Sequence, residues 1–329
     1  MKRIFGILIF LAILVSFACK NAPMTKADIE ATIVNSAGGT KEDPVQLSLK
    51  GFSLGDMRSK DSGWFSLLDA IEAAGKYVSL DLSGCKMPTD TFDHRANHAG
   101  KDKVVSLSLP DAATIIQAPS SSYQTFVNIK YVRGSNISYT GKNALLAWES
   151  LENVDFPKLN ATGHGSFEFC RSFNSTSLPE KINYIDDFSF LGCRSLTLTS
   201  IPDGVTHIGY TAFRKCERLA LTSFPAELKL IGPNAFEDCI GLEEIALPAA
   251  LTSLGAYAFK GCTNLRTVTI NAITPPKAGA STYIKVEPDK WEMFANTHSD
   301  LKIKVPANSV QAYKEAEGWR EYADKISAM

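Results

Sequence analysis

Five cysteines, Cys170, Cys193, Cys216, Cys239 and Cys262, stand 23 residues apart. A fixed period of this size belongs to chains that build one supersecondary unit repeatedly and stack the copies. A single unit cannot bury its own apolar side, so stacked neighbours must share one continuous core. The period therefore restricts the fold to a solenoid and directs the search for function to an extended surface.

More than cysteine repeats. Three residues later come Phe173, Leu196, Leu219, Leu242 and Leu265, and eight residues later Leu178, Ile201, Phe224, Leu247 and Ile270. Pro179, Pro202, Pro225 and Pro248 follow the first four of these. Apolar pairs come next (Val205 and Ile208, Leu228 and Ile231, Leu251 and Leu254), then Gly209, Gly232 and Gly255, with Asp186 in the first copy. Phe190, Phe213, Phe236 and Phe259 lead into the next cysteine. Alternation from Leu242 to Leu247 reads as a short strand. The proline ends it, since it brings no N–H to a ladder, and the glycine marks a turn on the return leg. Phenylalanine and cysteine point into the stack.

The pattern Leu-Pro-x-x-Leu-x-x-Ile-Gly-x-x-Ala-Phe-x-x-Cys-x-x-Leu stands most plainly over residues 247–265, with Leu254 in the Ile position. It resembles the bacterial surface leucine-rich repeats of the BspA and treponemal type. It departs from the commoner leucine-rich repeat, which carries asparagine or cysteine after the strand where proline stands here. The tail over residues 304–324, with Tyr313, Trp319 and Tyr322, resembles the ending of BspA-type proteins. The resemblance covers residues 77–329. It implies a leucine-rich-repeat solenoid, β-rich within the α/β class, with about nine stacked strands, short return legs and helical caps at both ends. It further implies adhesion to host matrix proteins such as fibronectin or fibrinogen, or to other bacteria.

The chain divides accordingly. Lys2 and Arg3 precede an apolar run over residues 4–17 that is too short for a membrane span, so residues 1–18 read as a signal peptide. Cys19 follows Ala18 as a lipobox cysteine would, with Ser16 where leucine is usual. Lipid attachment at Cys19 is expected; the alternative is a soluble secreted chain. Residues 19–60 read as a tether and the start of the N-terminal cap. Residues 61–76 read as a capping helix with Trp64, Leu67, Leu68 and Ile71 on one face and Gly75 as its stop. Residues 77–276 form the solenoid, regular from about residue 156. Residues 277–329 form the C-terminal cap, with a last strand ending at Val305 and a helix from Val310 capped by Asn308 or Ser309. Within the solenoid, strands are expected over residues 78–82, 105–109, 126–131 and 151–156, and ending at Leu178, Ile201, Phe224, Leu247 and Ile270. At about 4.8 Å per strand the sheet is on the order of 40 Å long.

Little in the chain suggests chemistry. The repeat cysteines are expected as buried thiols filling the core. A disulfide between adjacent turns has a permitted Cα separation, but parallel side chains suit its dihedral poorly. A metal lacks any histidine or carboxylate repeating beside the thiols. His94 and His98 have the spacing of two ligands on one helix face, but their surroundings read as a loop. Gly163-His164-Gly165-Ser166-Phe167 lacks the glycine-x-serine-x-glycine order of a nucleophile elbow. The expectation is no enzyme, no cofactor and no metal. A net charge of −1 gives no basic footprint for nucleic acid.

Binding then falls to the residues between core positions, on the outer, concave face of the strands. These are Asn174, Ser175 and Ser177; Thr197 and Ser200; Ala220 and Ser223; Glu243, Glu244 and Ala246; and Arg266, Thr267 and Thr269. The row is small and hydroxyl-rich. Its length suits a protein or glycan partner, with host matrix proteins implied by the resemblance and the membrane reached only through lipid. An exported, envelope-anchored protein exposed at the surface is the leading expectation, and a periplasmic or envelope scaffold for a partner of the same cell is the rival.

Overall fold

The computed structural model describes residues 24–94, 97–117, 125–279 and 291–329. The signal-peptide reading, Cys19 and the first tether residues lie outside the described residues. The described chain winds as one parallel solenoid. Each full turn runs along a front face, crosses through a chain of tight turns and returns along a back face.

Among the described residues the front face carries nine strands in two sheets. The first sheet pairs Val45–Ser48, Val78–Asp81, Val104–Ser108, Tyr131–Arg133 and Asn153–Asp155, in that order and all parallel. The second pairs Glu244–Leu247, Thr267–Ile270, Lys302–Val305 and Ile326–Ala328. The expected strands ending at Leu178 and Ile201 do not form, and at Phe224 a single bridge, Ser223 to Ala246, takes the place of a strand. The reason lies in spacing from the cysteine. In the paired turns the inward residues sit six and eight after it, as Ile245 and Leu247 do, and residues two apart share a face of a strand. In the turns of Cys193 and Cys216 the buried residues are Leu198 and Leu221, five after the cysteine. Five and eight cannot both point inward from an extended strand. These front segments instead hold to their neighbours through scattered bonds, such as Thr197 N–H to Ser175 O at 3.3 Å and Ala220 N–H to Leu198 O at 3.0 Å.

The back face, expected only as a return leg, is the longest sheet. Among the described residues nine short parallel strands run from Thr91–Asp93 to Lys277–Ala278, among them Tyr139–Thr140, Tyr184–Ile185 and His207–Ile208. Gly209, Gly232 and Gly255 follow the strands because adjacent turns close tightly there. A Cβ on Gly232 would lie 2.7 Å from the carbonyl carbon of Gly209.

Two ladders fill the interior. Phe190, Phe213, Phe236 and Phe259 stack with centroids 5.2–5.3 Å apart and planes within 10° of parallel. Beside them each cysteine is buried and donates its S–H to a main-chain carbonyl of the preceding turn. The cysteine column continues toward the N-terminus in other residues. Six residues before the inward positions Val154, Val132 and Leu107, which pair in register, stand Trp148, Phe126 and Lys101. Trp148 and Phe126 lie 4.8 Å apart between centroids, and the Lys101 ammonium sits 5.1 Å from the Phe126 ring centre. Phe126 is thus a core plug, and the strand expected over residues 126–131 begins only at Tyr131.

Both ends are covered. The capping helix α2, Gly63–Ala74, starts at Ser62, whose hydroxyl accepts from Phe65 N–H, and stops at Gly75 with φ 69°. Its buried face holds Trp64, Leu67, Leu68 and Ile71. Helix α1, Lys26–Asn35, packs against it behind a Thr25–Asp28 capping box. Residues 19–60 therefore include this helix and the first front strand, so the stack begins before the solenoid boundary at residue 77. At the other end helix α3 is short, Val310–Glu315, with Ser309 as its N-cap residue making no side-chain cap bond. Tyr313 donates to Ala272 O and Trp319 to Pro276 O, pinning the cap to the last regular turn. Ile326 is buried on the last strand, Ile326–Ala328. No described helix is long and apolar enough to cross a membrane.

Candidate functional site

Every outward front residue singled out from the spacing is exposed or half-buried. Asn174, Ser177, Ser200, Ser223, Glu243, Glu244 and Arg266 are exposed; Ser175, Thr197, Thr267 and Thr269 are half-buried. They form two neighbourhoods, and the front face carries a third. Glu244 pairs in register with Thr267 and Thr267 with Lys302, while Ala246, Thr269, Lys304 and Ser327 make the next column. This end of the face is charged, with acid on one strand and lysine two strands on.

The middle neighbourhood spans the turns without strand pairing. Its hydroxyls partly serve the backbone. Thr197 Oγ1 donates to Asn174 O at 3.2 Å and Ser175 Oγ to Ser177 O at 2.6 Å. Ser200 and Ser223 project at the exposed edge of this stretch.

The third neighbourhood, in the first front sheet, was missed by spacing from the cysteines because no cysteine occupies its core column. Its outward columns are Gln46, Ser79, Ser106, Tyr131 and Asn153, and Ser48, Asp81, Ser108, Arg133 and Asp155. The alternation around Val45, Leu47 and Leu49 is the signal that reveals the first of these strands. Ser79 and Ser106 share a hydrogen bond, Ser48 donates to Asp81 at 2.9 Å, and Arg133 meets Asp155 at 3.4 Å. Burial pushes Asp81 up, yet donors from the backbone and side chain of Ser83 and from Ser48 outweigh it and hold the carboxyl below its ordinary range. Burial and the neighbouring Asp155 raise the Tyr131 phenol.

The remaining candidates go to structural roles. The five repeat thiols are driven up by burial, Cys262 to about 12, which keeps them protonated and fit to donate. His94 is fully buried, pushed down to about 3 by burial and by Lys101, with Nε2 against Ala144 O. His98 faces elsewhere: its Nδ1 accepts from Gly100 N–H, and its Nε2 lies 2.9 Å from Asp69. The two imidazoles do not converge. Ser166 is buried within the stack, not displayed as a nucleophile.

The sequence model described as "BspA type Leucine rich repeat region" matches six copies over residues 97–220 and 185–280. No curated protein matches the chain. Solved structures that align with it include a leucine-rich-repeat protein of T. pallidum (22% identity, 55% of this chain and 76% of that one, TM-score 0.39). A leucine-rich cell surface protein of Faecalibacterium prausnitzii aligns at 19% identity, over 74% of this chain and 83% of that one, with TM-score 0.43. A leucine-rich-repeat protein of Bacteroides ovatus aligns at 20% identity, over 77% and 75%, with TM-score 0.37. With repeats matched across more than half its length and the Phe, Cys and Leu columns buried as one core, the chain belongs to the BspA-type leucine-rich-repeat family.

Proposed function

We propose that this protein is exported, held to the cell envelope by lipid at Cys19, and uses its front face to bind macromolecules at the cell surface, as an adhesin for host extracellular-matrix proteins or other cells. The front face carries this reading. Side chains between the core positions are small, mostly hydroxyl-bearing and exposed or half-buried across three turns, with charged columns on either side. Beneath it, backbone bonds join each turn to the next, and the Phe and Cys ladders tie the cysteine turns together. A preordered surface loses little entropy on binding, and its length exceeds what a small ligand can use.

Protease treatment of intact cells tests the location. Loss of the protein, together with binding of the full chain to immobilised fibronectin or fibrinogen, supports the adhesin. Survival of the protein in intact cells, with cleavage only after lysis, assigns it instead to an internal envelope scaffold. Metabolic palmitate labelling that disappears in Cys19→Ala tests the anchor; an unlabelled wild-type chain overturns it.

A further inference from the structure

The back sheet presents its own ordered surface. Its outward column contains, in register, Ile115, Tyr139, Ala161, Tyr184, His207 and Leu230. Tyr139 and Tyr184 are 38% and 41% exposed, on strands whose following residue is buried. Their strands stand two rungs apart, about 9.5 Å by strand spacing, with Ala161 between them in the column. The Tyr139 ring lies across the neighbouring turn: its hydroxyl would be 2.7 Å from a Cβ on Gly163, so glycine there makes room for it. The Tyr184 ring and the His207 imidazole have centroids 6.1 Å apart, and Thr206 Oγ1 holds His207 Nδ1 at 2.8 Å.

The chemistry beside the rings is mostly uncharged and rich in hydrogen-bonding groups. Immediately before the column residues stand Ser138, Asn160, Asn183 and Thr206, with Asn160 and Asn183 exposed. Two residues after Tyr184, Asp186 adds a carboxylate, which accepts from Asp187 N–H at 2.7 Å. Neither the column from Ile115 to His207 nor the position before it carries a lysine or arginine. An anionic polymer would meet Asp186 with no cation among these positions, whereas an uncharged polyhydroxyl ligand meets ring faces, amides and one acceptor. Aromatic side chains supply apolar area at low entropic cost, and sugar rings offer C–H faces to lie on them.

We propose that the back sheet binds an extended neutral polysaccharide of pyranose rings, with Tyr139 and Tyr184 stacking beneath sugars two units apart and Asn160, Asn183 and Asp186 bonding their hydroxyls. The site is separate from the front face and acts whether or not that face binds protein.

Native gels cast with mixed-linkage β-glucan, xyloglucan or galactomannan, with polygalacturonate as the anionic control, test this on the full chain. Retardation is expected in at least one neutral gel. Tyr184→Ala and Tyr139→Ala should each raise Kd about tenfold, a loss of about 1.4 kcal/mol. Ala161→Glu keeps both rings but sets a charge between them, and should abolish retardation while circular dichroism stays native. Ser200→Glu on the front face should leave it unchanged. Absence of retardation in every neutral gel, retardation by polygalacturonate alone, or retardation that survives Ala161→Glu overturns the proposal. So does a protein ligand captured through Tyr184 that none of the three glycans displaces.

Discussion

Cys216 donates its thiol proton to the carbonyl oxygen of Phe190, 3.1 Å away in the preceding turn. The same oxygen accepts from Cys193 N–H at 3.1 Å. The side chain thus both fills the column and ties one turn to the next, which an alanine cannot do. Cys216→Ala removes a hydrogen bond and opens a small void, so a loss of about 2 kcal/mol is expected in urea unfolding. Ellman's reagent at pH 8 should leave the native chain's buried thiols unreacted and label them after unfolding.

Thr211 has φ 57°, a β-branched residue in a region that glycine and asparagine favour. Gly165 and Asn234 occupy the same place in other turns, at φ 61° and 54°. The Thr211 hydroxyl is buried with no hydrogen-bond partner among the described residues. Thr211→Gly relieves both, offset by a lost methyl contact and a more flexible unfolded chain. A net gain of about 1 kcal/mol is expected, read as a rise in Tm.

Lys101 occupies the column that cysteine fills elsewhere, its ammonium 2.6 Å from His94 O. Burial pushes it down to about 7, with Asp93 and Asp102 opposing. An unfolded lysine titrates near 10.4. Above pH 7 the unfolded chain therefore holds more protons at this site than the folded one, and stability rises with pH. The slope from this group approaches about 1.4 kcal/mol per pH unit. The raised thiols act oppositely once the unfolded chain's cysteines ionise, near pH 8.5. Urea midpoints should rise between pH 7 and about 8.5, and Lys101→Met should lack that rise; parallel curves for the two proteins would refute it.

On the front face, Ser200→Glu with Ser223→Glu sets two carboxylates on the exposed edge of the middle turns. Stability should change by less than about 0.5 kcal/mol. Binding to the immobilised matrix protein should weaken about tenfold if that edge lies in the interface. Unchanged affinity would move the interface to the charged columns around Glu244 and Lys302.

Leu221 and Thr222 put the buried residue one place too early for a strand. Leu221→Glu with Thr222→Ile gives this turn the inward spacing of its neighbour at Ile245 and Leu247. The second front sheet should gain one strand beyond Glu244–Leu247, seen as slowed amide exchange at positions 222–224. Exchange as fast as in the parent would show that spacing alone does not decide pairing.

Turn order and core columns were legible because Phe190, Cys193 and Leu196 recur at fixed offsets. The split of the front sheet was equally present, in Leu198 and Leu221 against Ile245, but alignment on the eighth position after cysteine masks a one-residue shift at the fifth. The column through Lys101, Phe126 and Trp148 was hidden because its residues share shape complementarity with their neighbours and no common chemistry. The back sheet escaped because its strands are two or three residues long, too short for alternation to show. The front-face candidates are exposed or half-buried, and surface residues carry no packing constraint that would single out a binding subset.

The cysteine and phenylalanine ladders touch only the turns immediately above and below. A turn therefore identifies its neighbours but not its distance from either cap. Excising residues 194–216, or duplicating them, would rejoin a cysteine turn to a cysteine turn and keep the Phe and Cys columns continuous across the junction. The molecule's reach is in this sense a counted quantity, adjustable in steps of about 4.8 Å, while the caps that close it stay unaltered.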